Sequence, residues 1–503
     1  MRVKRPVEVL RGAGSAVRVR VVEVANQPAR TILLGTVLLA SALSAVTCYV
    51  LTQYFSLDVL SYLVAIPEDC WLDWGVNVGR HCFSDFSVPV GYALRANPWD
   101  PYPIYGLPDF KAAHNNYVAA GMLPQTVFGL LGKGLGAPRL GLFAYLLTMT
   151  VCVFTPAAWA ARGARGLERV VVFVACGMVA IPAWTVIDRG NSLGFLVPIA
   201  LVFLVALCRG RWGLVTVMVI LAALVKPQFA LLAVVLFAAR QWRLGGIAVG
   251  GVAVSNLAAF LLWPRDFPHT IAQAIHNTLG YGWFQQLVGL RNVSFARALL
   301  WLPDAVKSSQ TGGTIPDGFL AAPRSLMGYV IVLVVVACVV VLGRRIPPVM
   351  VGIVLLATAA LFPALVADYY LVFVLPIAAV IARDPDGPPG TGIFDRPAAV
   401  GGRRTLVGLT VSVATALSIA QIAISTQPIK EPILGQMGAV GIVGYRTLAL
   451  TTVALTPLFW LIACTAIIVS YARRPAWTGD ATVGQARSEA ESDAPLRASE
   501  APA

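Results

Sequence analysis

Residues 325–342, SLMGYVIVLVVVACVVVL, carry no charged side chain. As a helix this run extends about 27 Å at ~1.5 Å per residue, close to the ~30 Å hydrocarbon core of a bilayer. It has no polar face to offer water, so it reads as a membrane-crossing helix. Comparable runs lie at 31–52, 140–161, 168–187, 191–208, 212–225, 227–239, 244–263, 347–366, 369–382, 404–424 and 446–471. The fold class expected is therefore all-α, a polytopic transmembrane helical bundle of about 12 spans. Composition agrees. Of 503 residues, 58% are hydrophobic and 12% charged, with a mean hydropathy of +0.76, which excludes a soluble domain of this size.

Basic residues near span ends stay in the cytoplasm, and this sets the orientation. Arg2, Lys4, Arg5, Arg11, Arg18, Arg20 and Arg30 precede the first span, against Glu8 and Glu23. Residues 1–30 are thus a basic cytoplasmic N-terminus, and the first span is expected to be retained because no convincing cleavage site follows it. The transmembrane domain covers 31–472 and holds two large extracytoplasmic loops, at 53–115 and 264–322. The first is acidic, with Asp58, Glu68, Asp69, Asp73, Asp85, Asp100 and Asp109 against Arg80, Arg95 and Lys111. Residues 473–503, rich in Ala, Ser, Glu and Asp, read as a disordered cytoplasmic tail. A multi-pass plasma-membrane protein with both termini cytoplasmic follows. The net charge of +14 reflects this topology, with some attraction to anionic membrane lipid, and nucleic-acid binding is not expected.

Two segments resist a simple crossing. Residues 117–135, with Pro124 and glycines at 121, 129, 132 and 134, suit a re-entrant or surface piece. The alternative is a crossing there, paired with a further crossing between 53 and 70. Residues 212–239 read as two short helices broken at Lys226-Pro227, or as one long helix kinked at the proline. The remaining spans read as clean.

This topology gathers the polar motifs on the extracytoplasmic face: Asp85 in Ser84-Asp85-Phe86, Asp100, Asp188-Arg189-Gly190-Asn191, Lys226-Pro227-Gln228, Arg291, and Asp368-Tyr369-Tyr370. Asp85 follows the first span in a chain that otherwise avoids charge, and is the candidate base. The four histidines, His81, His114, His269 and His276, match no metal-ligand spacing, so no metal site and no cofactor are expected. Of eight cysteines, Cys70 and Cys82 both lie in the outer loop, where a disulfide survives; they are the candidate pair, with two free thiols as the alternative. Asn292-Val293-Ser294 matches a glycosylation sequon, a short motif of little weight.

Ser84-Asp85-Phe86, with Tyr92-Ala93 and Asn97-Pro98-Trp99-Asp100-Pro101-Tyr102, resembles the first-loop signature of the actinobacterial polytopic glycosyltransferases of the GT-C class. That family includes the mannosyltransferases of phosphatidylinositol mannoside synthesis and the arabinofuranosyltransferases of cell-wall arabinan. Gly190-Asn191, Lys226-Pro227 and Asp368-Tyr369-Tyr370 before Leu375-Pro376 are similar to its later elements, so the resemblance covers about 80–382. The family's Tyr-Pro-Pro element is absent, with Asn116-Tyr117 and a lone Pro124 in its place, and Arg189-Gly190 replaces a usual Gln. The resemblance implies transfer of a mannosyl or arabinofuranosyl unit from a polyprenyl-phosphate sugar donor. The acceptor would be a lipid-linked or cell-wall glycan on the outer leaflet.

Such a reaction needs a carboxylate to take the acceptor proton and cations to meet the phosphate charge that develops. Asp85 fits the first role, and Lys226, Arg189 and Arg291 the second. Asp188, Asn191, Asp368, Tyr369, Tyr370 and Asp100 are the substrate-binding candidates. With one base and no second carboxylate placed as a nucleophile, the expected reaction is an inverting direct displacement. Plainer roles exist for each: Asp85 as a helix cap, Lys226 snorkelling to the interface, Asp188 and Arg189 as a local ion pair, the tyrosines as an aromatic belt. The rival from another class is a transporter or flippase for a lipid-linked sugar, which expects broken helices and midplane polar groups.

Overall fold

The computed structural model describes residues 26–55, 83–101, 114–280, 284–289, 291–313, 315–396, 404–433 and 442–472, with isolated positions between them. Cys70, Cys82 and His81, most of the 1–30 segment and the 473–503 tail lie outside the described residues, as does most of the 53–115 loop before Phe83.

Helix dominates. In chain order the helices are α1 (Ala29–Phe55), α2 (Ser84–Ala93), α3 (Leu123–Gly134), α4 (Pro138–Ala161), α5 (Gly166–Met178), α6 (Ile181–Arg189), α7 (Ser192–Cys208), α8 (Trp212–Val225), α9 (Pro227–Ala238) and α10 (Trp242–Phe260). There follow α11 (His269–Leu279), α12 (Phe284–Val288), α13 (Phe295–Leu299), α14 (Trp301–Gln310), α15 (Ala321–Arg345), α16 (Pro348–Leu361), α17 (Asp368–Ala382), α18 (Thr405–Ile419) and α19 (Thr452–Ala472). Five of them, α1, α4, α10, α15 and α19, are long and apolar enough to cross a membrane, and the bent pair α5 and α6 makes a sixth if counted as one span. These helices make the chain a membrane protein. The other apolar helices, α7, α8, α9, α16, α17 and α18, are shorter. Among the described residues there are thus fewer helices of full crossing length than the expected spans, and the centre is built from short helices.

The burial pattern explains how short helices are tolerated. In α16 every residue from Val349 to Leu361 is buried, and in α17 every residue from Leu371 to Ala382 is. They sit at the centre, with α17 packed against α4, α7, α18 and α1. Irregular backbone beside them is shielded by protein, as a hydrocarbon setting requires. The outer helices α1 and α15 expose Leu39, Leu333 and Val341, apolar surface suited to lipid.

One break was not legible in advance, while those in 212–239 and 117–135 fall where the sequence had them. The stretch expected as one clean span at 168–187 bends by 47° between α5 and α6, where α5 closes on a π turn at Val174–Met178 and Pro182 opens α6. The 212–239 segment is two helices rather than one, parted at Lys226, whose backbone is extended. In 117–135, α3 has 12 residues, about 18 Å at ~1.5 Å per residue, too short to cross. It folds back on α4 through glycines: a Cβ on Gly132 would stand 3.0 Å from the Gly141 backbone, and one on Gly141 would stand 2.4 Å from the Phe128 carbonyl oxygen. Among the described residues the departure from helix is an antiparallel pair, β1 (Ala423–Ile433) and β2 (Ile442–Thr451), registered from Ala423 opposite Thr451 to Ile433 opposite Ile442. This corrects the span expected at 446–471, because 446–451 are strand; the β-branched Ile442, Val443, Thr447 and Thr451 favour it.

The two ends of the bundle differ chemically. One carries Asp85, Arg189, Asn191 and Tyr369. At the other, α7 delivers Arg209 to Asp386 at 2.8 Å, Arg30 pairs with Glu168, Arg383 donates to the Trp159 carbonyl at 2.7 Å, and Arg396 meets Asp384 at 3.3 Å.

Candidate functional site

The site is assembled around one carboxylate. Asp85 lies in the first turn of α2, where the unpaired N–H groups of a helix start favour negative charge. Its Oδ2 accepts from Asn191 Nδ2 at 3.0 Å and from Arg189 Nε at 3.3 Å, while Oδ1 accepts from the Tyr117 hydroxyl at 3.4 Å. The main-chain oxygen of Asp85 accepts from Gln125 Nε2 at 3.3 Å. The Asp85 and Arg189 side chains are only 16% and 11% exposed, so the pair is better shielded than a surface bridge.

Arg189-Gly190-Asn191 explains how two donors reach one oxygen. Gly190 closes α6 in the left-handed region, with φ 66°, and a Cβ there would lie 3.1 Å from Phe86 Cβ. The corner it turns puts Arg189 and Asn191 on the same side. Asn191 then caps the following turn: its Oδ1 accepts from Leu193 N at 3.0 Å. That bond commits the amide oxygen, so the NH2 group faces Asp85. The corner is braced by Tyr145, fully buried, whose hydroxyl donates to the Gly190 carbonyl at 2.9 Å and whose ring packs 4.8 Å from Phe86.

One further cation, Lys226, and a group of aromatics belong to this neighbourhood. Lys226, at the break between α8 and α9, places its Nζ 4.2 Å from the centre of the Tyr117 ring, and the Arg189 guanidinium lies 5.9 Å from the centre of the Tyr369 ring. Tyr369 stacks on Tyr370 at 5.3 Å. Asp368, the residue before them, is buried in a turn packed on α6. The loop ahead of α17 is pinned by Asn292, whose Nδ2 donates to the Leu287 and Ala364 carbonyls, 2.8 Å each, and whose Oδ1 accepts from Ser294 N and Val366 N. With its amide committed four ways and 4% exposed, Asn292 is a structural tie rather than a glycan acceptor.

The structure thus joins Asp85, Arg189 and Asn191 directly, and links Lys226 and Tyr369 to them through Tyr117 and Arg189. Arg189 pairs with Asp85. Asp188 is half-buried in the last turn of α6. Asp100 accepts from Gln273 at 3.3 Å and Arg291 sits half-buried beside Asn292; neither bonds the Asp85 carboxylate among the described residues. His114, His269 and His276 are all exposed, and among the described residues no three His, Cys, Asp or Glu side chains come together as a metal-holding group. Sequence reasoning missed Tyr117, Gln125 and Tyr145. Tyr117 stands where the expected Tyr-Pro-Pro would begin, which was the available signal.

Three buried polar atoms flank the cluster in the chain without a hydrogen-bond partner among the described residues: the hydroxyls of Ser84 and Ser192, and Gln125 Oε1. Each unmet group of this kind costs about 1–3 kcal/mol.

Fold and site together define a helical membrane protein with a shielded carboxylate bonded to Arg189 and Asn191 and linked through Tyr117 to Lys226. Comparison of the chain with protein-family models finds no match, and comparison with curated proteins finds none.

Proposed function

We propose that this chain is an integral-membrane glycosyltransferase that moves a mannosyl or arabinofuranosyl unit from a polyprenyl-phosphate donor. The acceptor is a lipid-linked or cell-envelope glycan on the outer face of the plasma membrane. The observation that carries the reading is the division of labour on Asp85: Oδ2 is held by Asn191 and Arg189, and Oδ1 meets only the neutral Tyr117 hydroxyl among its described partners. A carboxylate oxygen accepts two hydrogen bonds, so Oδ1 has room for the acceptor hydroxyl.

In the reaction the acceptor oxygen attacks the anomeric carbon while its proton passes to Asp85 Oδ1. The bond from the anomeric carbon to the phosphate oxygen breaks with its electron pair, leaving a phosphomonoester. Lys226 and Arg189 stabilise that added charge. One displacement inverts the centre. Tyr369 and Tyr370 offer a stacking face for the sugar.

A transporter of lipid-linked sugar is the second reading, favoured by the 47° bend between α5 and α6 and the break at Lys226. The test is transfer of radiolabelled sugar from polyprenyl-phosphate mannose and, separately, polyprenyl-phosphate arabinose into membrane lipid and glycan. Transfer from one donor, with polyprenyl phosphate released in equal amount, supports the enzyme. Movement of intact donor across the bilayer with no release favours the transporter.

A further inference from the structure

Asn97-Pro98-Trp99 contributes nothing to the chemistry above, yet it anchors a buried polar frame. Trp99 is 1% exposed and packs against Phe260 at 4.9 Å and Trp263 at 5.9 Å. Asn97 Oδ1 accepts from Trp99 N at 3.0 Å, and its Nδ2 donates to Asp266 Oδ2 and Gln273 Oε1, both at 3.1 Å. Asn277 Nδ2 bridges the carbonyls of Trp99, at 3.1 Å, and Asn115, at 3.2 Å.

This frame converges on one residue. The Trp99 indole N–H donates to the Tyr117 carbonyl at 2.9 Å, and Asn115 Oδ1 accepts from Tyr117 N at 2.9 Å. Both main-chain groups of Tyr117 are therefore fixed by buried partners, and polar groups buried this way tolerate little displacement. The side chain, 9% exposed as a residue, touches two opposite charges: its hydroxyl meets Asp85 Oδ1 and its ring lies under Lys226.

We propose that Tyr117 is the positioning residue of this site, with the Trp99 frame as its mount. The inference rests on the glycosyltransferase reading. The phenol O–H completes from the Oδ1 side the hold that Asn191 and Arg189 exert on Oδ2, leaving the second lone pair of Oδ1 for the acceptor hydroxyl. The ring holds the Lys226 ammonium where the leaving phosphate gains charge. One side chain thereby fixes the spacing between base and cation, a separation that must match the span from acceptor oxygen to phosphate. Neither the lysine nor the aspartate sets it alone, because Lys226 sits at a helix break and Asp85 on a short helix.

The two halves of the role separate by substitution. Tyr117→Phe keeps the ring and removes the hydroxyl; Tyr117→Leu removes both. The experiment measures initial transfer rates over donor and acceptor concentration for the full chain in membranes, with the melting temperature of each variant. For Tyr117→Phe the expected result is a fall in kcat of about tenfold at an unchanged donor KM, the scale of one hydrogen bond to a charged group. For Tyr117→Leu the donor KM also rises, by roughly fivefold, as the ring contact to Lys226 is lost. Trp99→Phe, which removes the indole N–H and keeps a ring, lowers kcat in the same direction with the donor KM unchanged. Wild-type kcat in Tyr117→Phe overturns the proposal. So does an equal loss in both Tyr117 variants that tracks their melting temperatures, since that is what mere packing gives. A wild type that transfers no sugar removes the glycosyltransferase reading and this inference with it; transfer unimpaired by Tyr117→Phe removes this inference alone.

Discussion

Arg189 Nε meets Asp85 Oδ2 at 3.3 Å, although 104 positions separate the two residues in the chain. The contact joins the last turn of α6 to the first turn of α2. On the proposed reading it ties the base to a phosphate-binding cation, and a donor phosphate would compete with the carboxylate for the same guanidinium, coupling donor binding to the freeing of Asp85.

Arg189→Gln removes the charge from both tasks. Its kcat/KM for the donor is expected to fall about a hundredfold, and Arg189→Lys to recover part of the loss, because an ammonium supplies the charge without the planar fork. Initial-rate measurements on the two variants check this. Equal loss in both would point to geometry alone.

Asn191→Asp keeps the cap on Leu193 N but turns a carboxylate oxygen toward Asp85, where an amide now donates at 3.0 Å. Like charges this close disfavour a second ionised group, so transfer is expected to drop at least about a hundredfold at neutral pH. Initial-rate measurements against wild type at neutral pH read the difference.

Asp304 holds two buried guanidinium groups away from the site, accepting from Arg324 Nη2 at 2.6 Å and from Arg297 Nη1 at 3.2 Å. Burial pushes the Arg297 guanidinium below its ordinary range, against the pull of Asp304. Asp304→Asn leaves two buried positive groups without a counter-charge and is expected to cost about 3–5 kcal/mol of stability. A melting temperature lowered by several degrees, with donor KM unchanged in the surviving protein, is the expected readout.

Gly141→Ala brings a Cβ to 2.4 Å from the Phe128 carbonyl oxygen, which is backbone and cannot swing aside. The α3–α4 turn must open, at a cost of about 1–3 kcal/mol or more. Reduced yield of folded protein and a lower melting temperature test the close packing of that turn.

Sequence made the long helices legible, because length and apolarity suffice for α1, α4 and α15. It was weaker on α16 and α17, where burial inside protein replaces the length that lipid would demand. The π turn in α5 left no mark in the pattern, and β2 was hidden by apolar composition that suits helix and strand alike. At the site, Asp85, Arg189, Asn191 and Lys226 were legible as polar groups breaking apolar runs. Asp100 looked equivalent to them, yet its bond is to Gln273; a loop carboxylate carries no sign of which distant element it meets. Tyr117 was obscured for the converse reason, since its importance lies in contacts to Trp99, Asn115, Asp85 and Lys226, which no local spacing announces.

The central claim is that Asp85 takes the acceptor proton. Its most direct test is single-turnover transfer by Asp85→Asn and wild type at matched expression, with the labelled donor, polyprenyl-phosphate mannose or arabinose, already bound. The account predicts transfer by wild type from one donor and a loss of about a thousandfold in Asp85→Asn, with donor binding retained. Transfer by Asp85→Asn at the wild-type rate, or by wild type from neither donor with acceptor present, would contradict it.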